Sequence, residues 1–504
     1  MLNRSRAIAS AAALALAAGL WTGPASAESL RDAIALAYRT NPSLLAQRAN
    51  QRALDETVVQ ARAGLRPSLN VTASANYTRT DSAGGAVDVD GDGFPDVTAG
   101  GVSESDSGSV SIGLSQSLYT GGRISRSISA AEAGVLEGRE TLRDVEQQVI
   151  VAVVQAYVDV LRDIEILEIR RENLQVLRRQ LEESNARFEV GEITRTDVAQ
   201  SEARLAQAES ELASAEAQLS TSRAAYAAVV GQAPANLTAP APLLAQPADF
   251  DDALEVALAR NPALLAAVYN QRQAEESVAQ ARAAFRPSAS LNASYGGSDE
   301  LSGFDPSQST SFRAGATVTV PLFTGGLNRS RVAQALEQAN AAQILVEGER
   351  RTVLREASAA YANLLSARAG VTANEEAVRA ARVAAEGVRQ EQSVGLRTTL
   401  DVLNAELELR NAQINLASAR RNDYVAQAQL LAAMGSLDGP SLADVEAYDP
   451  SRNYEQVRDR GGLPWDGAIE ALDNIAAPVV VPANDAEDAP IDAQLKSEVV
   501  RTAP

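Results

Sequence analysis

The chain contains the same unit twice, and that duplication limits its fold more than any other feature. Asn41-Pro42 recurs as Asn261-Pro262. Gln60-Ala61-Arg62-Ala63, followed by Arg66-Pro67, recurs as Gln280-Ala281-Arg282-Ala283, followed by Arg286-Pro287, at the same offset of 220. Leu118-Tyr119-Thr120-Gly121-Gly122 matches Leu322-Phe323-Thr324-Gly325-Gly326 at an offset of 204. That offset holds through Tyr157/Tyr361, Val190-Gly191/Val394-Gly395, Asp197-Val198/Asp401-Val402 and Gly231/Gly435. The first copy therefore carries 16 extra residues between Pro67 and Leu118. Residues 28–232 and 249–439 are the two units, the Pro-rich 233–248 joins them, and an acidic Pro/Ala-rich tail over 440–504 belongs to neither.

Each unit reads as helix, strand, strand, long helix, helix. Strands are expected at about 68–79, 109–119, 287–296 and 311–322, where apolar and polar residues alternate (Leu69, Val71, Ala73, Ala75 and Tyr77, with Ser, Asn and Thr between). Runs of about 9–11 residues cross a membrane at a tilt, and one apolar face against one small polar face suits a barrel wall between lipid and water. Tyr77, Tyr119, Tyr295, Phe312 and Phe323 lie near strand ends, where interfacial aromatics belong. Four strands cannot close a barrel, so several chains must share one.

The helices expected at about 122–188, 196–230, 326–391 and 399–434 are too long for an ordinary globular domain. Val198, Leu205, Leu212, Leu219 and Tyr226 recur every seven residues, with Ser201, Ala208, Ala215 and Ser222 on the companion seam. Sustained heptads with small-residue seams mean closely packed, supercoiled helices.

Residues 1–27 read as an export signal: Arg4 and Arg6, an apolar run from Ala7 to Leu20, then Ala25-Ser26-Ala27. No later apolar run reaches the roughly 20 residues that a membrane helix needs. The chain has no cysteine and no histidine. This removes thiol and imidazole nucleophiles, the usual transition-metal ligands and a lipidated N-terminus, so an enzyme is not expected. A net charge of −20 argues against nucleic acid as a partner.

With these features in order and duplicated, the chain resembles the TolC family of outer-membrane factors over roughly residues 28–439. The resemblance implies a mostly α fold with a membrane β-barrel part, in a homotrimer. Each protomer would give four strands to a 12-stranded barrel, carried on a periplasmic α-barrel tunnel in the outer membrane of a Gram-negative bacterium. It implies outer-membrane lipid, an inner-membrane ABC or proton-driven transporter and a periplasmic adaptor as partners, and no cofactor. The hairpin tips at Val190, Gly191, Val394, Gly395 and Leu396 would meet the adaptor. Asp197, Arg397 and Asp401 fall on positions that look like the family's periplasmic gate, with helix capping as the plain alternative for the aspartates. Gln392 and Asn404 depart from the tyrosine and aspartate of the best-known member.

Two smaller features remain. Asp88, Asp90, Asp92 and Asp96 with Gly93 match most of a calcium loop, although Ala99 stands where a bidentate glutamate belongs, so the loop reads either as a weak external Ca2+ site or as a plain solvated acidic loop. The tail is expected to lie beside the tunnel, with disorder beyond about residue 476. A conduit for type I protein secretion is the favoured function. Small-molecule or multidrug efflux is the alternative, and a trimeric surface structural protein and a carboxylate hydrolase are remote ones.

Overall fold

The structure is a computed structural model that describes residues 28–87, 97–243, 247 and 249–481. The export signal and the four aspartates of the acidic loop lie outside the described residues. The first repeat comprises α1 (Leu30–Thr40), α2 (Pro42–Ala63), β1 (Ser68–Val87), β2 (Val97–Tyr119), α3 (Arg123–Glu189) and α4 (Arg195–Val230). The second comprises α5 (Phe250–Arg260), α6 (Pro262–Ala283), β3 (Ser288–Asp299), β4 (Thr310–Thr319), α7 (Leu327–Ser393) and α8 (Thr399–Ala433). Three short helices follow in the tail: α9 (Gly439–Leu442), α10 (Ser451–Val457) and α11 (Asp466–Asn474).

The duplicated Asn-Pro pair explains itself locally. Asn41 caps α2, its Oδ1 accepting the N–H of Ser43 at 3.0 Å, while Pro42 occupies the first helical position, where a missing N–H is harmless. The other end of the same amide donates to the carbonyl of Val229 at 3.0 Å, tying the entry of α2 to the end of α4. Asn261 repeats both bonds, accepting from Ala263 and donating to Ala433, each at 3.0 Å.

α3 and α7 are 67 residues each, so each is on the order of 100 Å long. α3 pairs with α4 and α7 with α8 as antiparallel hairpins, and α3 also packs along α8. The heptad positions Val198, Leu219 and Tyr226 and the small seam residues Ser201, Ala208, Ala215 and Ser222 are buried. The largest core lies where α1 packs on α3: Ile34, Val153, Val154, Tyr157 and Tyr226 are almost wholly buried there. Glu28 is tied into this core by the Tyr226 hydroxyl at 2.6 Å, Gln232 at 3.0 Å and the Ala235 N–H at 3.1 Å.

The strands form one antiparallel sheet in the order β1-β2-β3-β4. β1 and β2 are longer than the alternation predicts, because pairing continues from Tyr77↔Asp106 to Val87↔Val97 after the apolar face has ended. A hairpin clear of lipid needs ladder bonds but no apolar face. β4 stops at Thr319, close to Pro321, which has no N–H to give the ladder.

The tail packs along the first repeat. The Arg48 guanidinium sits between the rings of Tyr38 and Tyr448, at 4.4 and 4.8 Å. Asn453 donates to Asp55 at 2.7 Å, and Arg66 pairs with Asp466 at 2.9 Å. The tail then delivers the fully buried Asp473 to the start of α3. Gly122 begins that helix at φ 87° with no side chain to cap it, and Asp473 takes over the task. Its carboxylate accepts the Ser125 N–H at 3.2 Å and the hydroxyls of Thr120 and Ser125 at 2.9 and 2.8 Å. Burial works against its ionisation, but these bonds from Thr120 and Ser125 outweigh burial and hold the carboxyl below its ordinary range.

Candidate functional site

Both helical hairpins reverse through the same short turn. At Gly191 and Gly395 the backbone is left-handed, φ 80° and 78°, which only glycine adopts without steric cost. Around them Val190, Val394 and Leu396 are 78, 70 and 76% exposed, so each tip presents aliphatic surface to its surroundings. Thr194 and Thr398 then open the returning helices with capping boxes.

Asp197 and Asp401 are the acidic members of those boxes. Asp197 accepts the Thr194 N–H and hydroxyl at 2.9 and 2.8 Å, and Asp401 accepts the same pair from Thr398 at 2.9 and 2.8 Å. These bonds hold both carboxyls below their ordinary range. Arg397 bonds Glu391 through Nε at 2.7 Å, and Asp401 adds a weaker attraction; both raise the guanidinium further above neutrality. Capping leaves the outer lone pairs of each aspartate open, so a cap and a contact to a neighbouring hairpin are compatible. Glu391 escaped the sequence reading because it meets Arg397 only across the turn.

Above the tips the two hairpins are joined by a ladder. Going up from the tips, Arg204 donates to Asn404 at 3.1 Å, and Arg410 pairs with Glu172 at 3.7 Å. Arg420 pairs with Glu165 at 3.7 Å and Arg421 with Asp159 at 2.8 Å. The acids all lie on α3 and the arginines that meet them on α8. Leu403 packs with Leu174, Leu177 and Ala208 in the same seam. Within the second hairpin, Arg389 and Arg410 both reach the buried Glu406. Gln392 is buried and faces Thr399 at 3.4 Å. The arrangement holds the two hairpins side by side through hydrogen bonds and ion pairs, and it brings no nucleophile and base together.

Among the described residues no group of three or more acidic side chains is placed to hold a metal ion, and no helix is long and apolar enough to cross a membrane.

Comparison with known proteins points in one direction. The family model described as outer membrane efflux protein matches residues 33–232 and 253–436, one segment per repeat. Outer membrane efflux protein BepC of Brucella suis is 35% identical, over 89% of this chain and 95% of that protein. Outer membrane protein TolC of Vibrio cholerae is 30% identical, over 87% and 96%. The alkaline protease secretion protein AprF of Pseudomonas aeruginosa is 29% identical, over 62% and 67%. Among solved structures, a membrane protein from Pseudomonas aeruginosa aligns with a TM-score of 0.70 at 24% identity, over 81% of this chain and 91% of that one. The outer membrane channel CmeC of Campylobacter jejuni also gives 0.70, at 16% identity, over 85% and 89%.

Proposed function

We propose a function from one premise: this chain belongs to the outer membrane efflux protein family. It is an outer-membrane efflux or secretion channel of the TolC type, an α-barrel carried below a β-barrel. In our reading it works as a homotrimer that receives substrate from an inner-membrane transporter through a periplasmic adaptor, with the transporter supplying the energy. The observation that carries this reading is the pair of exposed aliphatic tips at Val190 and at Val394–Leu396, each set on a rigid reversal and flanked by charged groups. Such a surface suits a helical partner that covers the tips, and separation of the hairpins there opens the passage.

The favoured cargo is protein, exported in a type I secretion complex. The Leu396-Arg397-Thr398-Thr399-Leu400-Asp401-Val402 tip supports this, as does the likeness to a protein named for alkaline protease secretion. Small-molecule efflux is the second reading, favoured by the likeness to BepC. Deleting the gene separates the two. Loss of large proteins from the culture supernatant, with dye and detergent resistance unchanged, supports secretion. The opposite pattern supports efflux, and a strain unchanged in both respects overturns the conduit reading.

A further inference from the structure

The four strands carry their charge on one face, with a single exception. On the apolar face, Leu69↔Leu114, Val71↔Ile112 and Ala73↔Val110 form the lipid band, and Tyr77↔Asp106 and Arg79↔Glu104 follow beyond its edge. Arg79 and Glu104 are paired at 2.9 Å. Asp81 and Asp299 share that face. The opposite face is built from Ser, Thr, Asn and Gly over residues 68–82, 101–117, 288–298 and 311–319, apart from Arg313.

Arg313 stands opposite Ser294, and its rung continues through Gly113 to Asn70. It borders an open groove with Asn70, Ser115, Asn292 and Thr317. Neither the rung nor the two beside it bring a carboxylate to that face. Closing the barrel does not bring one either. The edge strand β4 would pair with β1 of the next copy, whose polar face from Ser68 to Ser82 holds only Ser, Thr and Asn. A guanidinium is permanently charged and binds carboxylate and phosphate oxygens through paired donors.

We propose that Arg313 and its two symmetry copies form a ring of positive charge in the barrel lumen that attracts anionic groups, carboxylate or phosphate, on their way out. No other charged residue lies on this face of the strands, so the ring is a positive site on an otherwise uncharged wall. Rings of arginine or lysine act this way in anion-conducting pores. The inference rests on the polar face being the luminal one.

The absence of native cysteine allows a direct test that does not depend on the state of the periplasmic tips. Thr317→Cys places a reporter on the polar face near Arg313, and Val318→Cys places one on the apolar face. In outer-membrane vesicles, each is reacted with a sulfonate-bearing and a trimethylammonium-bearing methanethiosulfonate. We expect Thr317→Cys to react with both and to favour the sulfonate. Adding Arg313→Ser should lower the sulfonate-to-ammonium rate ratio severalfold, and Arg313→Glu should lower it further. The effect should fade between about 0.1 M and 1 M salt, as the screening length falls from about 10 to 3 Å. A ratio unchanged by Arg313→Glu in a reactive Thr317→Cys protein overturns the ring while leaving the barrel intact. Reaction at Val318→Cys in place of Thr317→Cys inverts the faces and overturns both.

Discussion

Arg204 on α4 donates a 3.1 Å hydrogen bond from its guanidinium to the side-chain oxygen of Asn404 on α8, joining the two hairpins just above their tips. The donor is charged but the acceptor is a neutral amide, so this lowest rung is weaker than the ion pair an aspartate would make.

In planar bilayers, Arg204→Ala should therefore raise single-channel conductance, and Asn404→Asp should lower it by replacing the amide with a carboxylate. Arg397→Ala or Asp401→Ala should raise conductance severalfold if the tips close the passage. Unchanged conductance in all four variants would remove the tips from the gating role.

Asp473 is the second test. Asp473→Asn keeps the shape but weakens the acceptors that the start of α3 depends on. A cost of roughly 1–3 kcal/mol is expected for buried donors left poorly paired, read as faster hydrogen exchange at Gly122 and Ser125. Its folded-state pKa is depressed, so the stabilisation is complete above the ordinary carboxylate value of about 3.9 and is lost only as pH falls below it. A tail that undocks near neutral pH would contradict this.

The opposite pH sign is expected at the seam between repeats. Burial, and then repulsion from Glu356, raises the Asp144 carboxyl; burial, then Glu356 and Asp144, raises Glu349. Groups with raised folded-state pKa weaken the fold as pH climbs past the ordinary carboxylate range. Asp144→Asn should accordingly raise the melting temperature slightly at pH 7, and the gain should vanish near pH 4. A loss of stability at pH 7 would show that the charge is needed.

The duplicated caps offer an internal control. Asn41→Ala and Asn261→Ala each remove an N-cap and a bond to the neighbouring helix end, and each should cost about 1–2 kcal/mol. Matched losses in denaturant titration are expected from matched geometry. A large difference would mean that the two repeats bear load unequally.

The sequence by itself determined the parts of this protein that depend on periodicity and on local backbone chemistry. Alternation from Leu69 to Tyr77, heptads from Val198 to Tyr226, the Asn-Pro caps and the Gly tips each involve residues a few positions apart, and their physical meaning is complete within that span. Membership of a channel family followed from their order. Only the tertiary structure decided which distant groups meet. Glu391 reaches Arg397 across a turn, Arg204 meets Asn404 from 200 positions away, and Asp473 caps a helix that begins some 350 residues earlier. No local pattern signals such pairs, because each side chain taken alone reads as an ordinary solvated charge. The same holds for Arg313: it becomes exceptional only when four strands are laid in register and every other residue on its face proves to be uncharged.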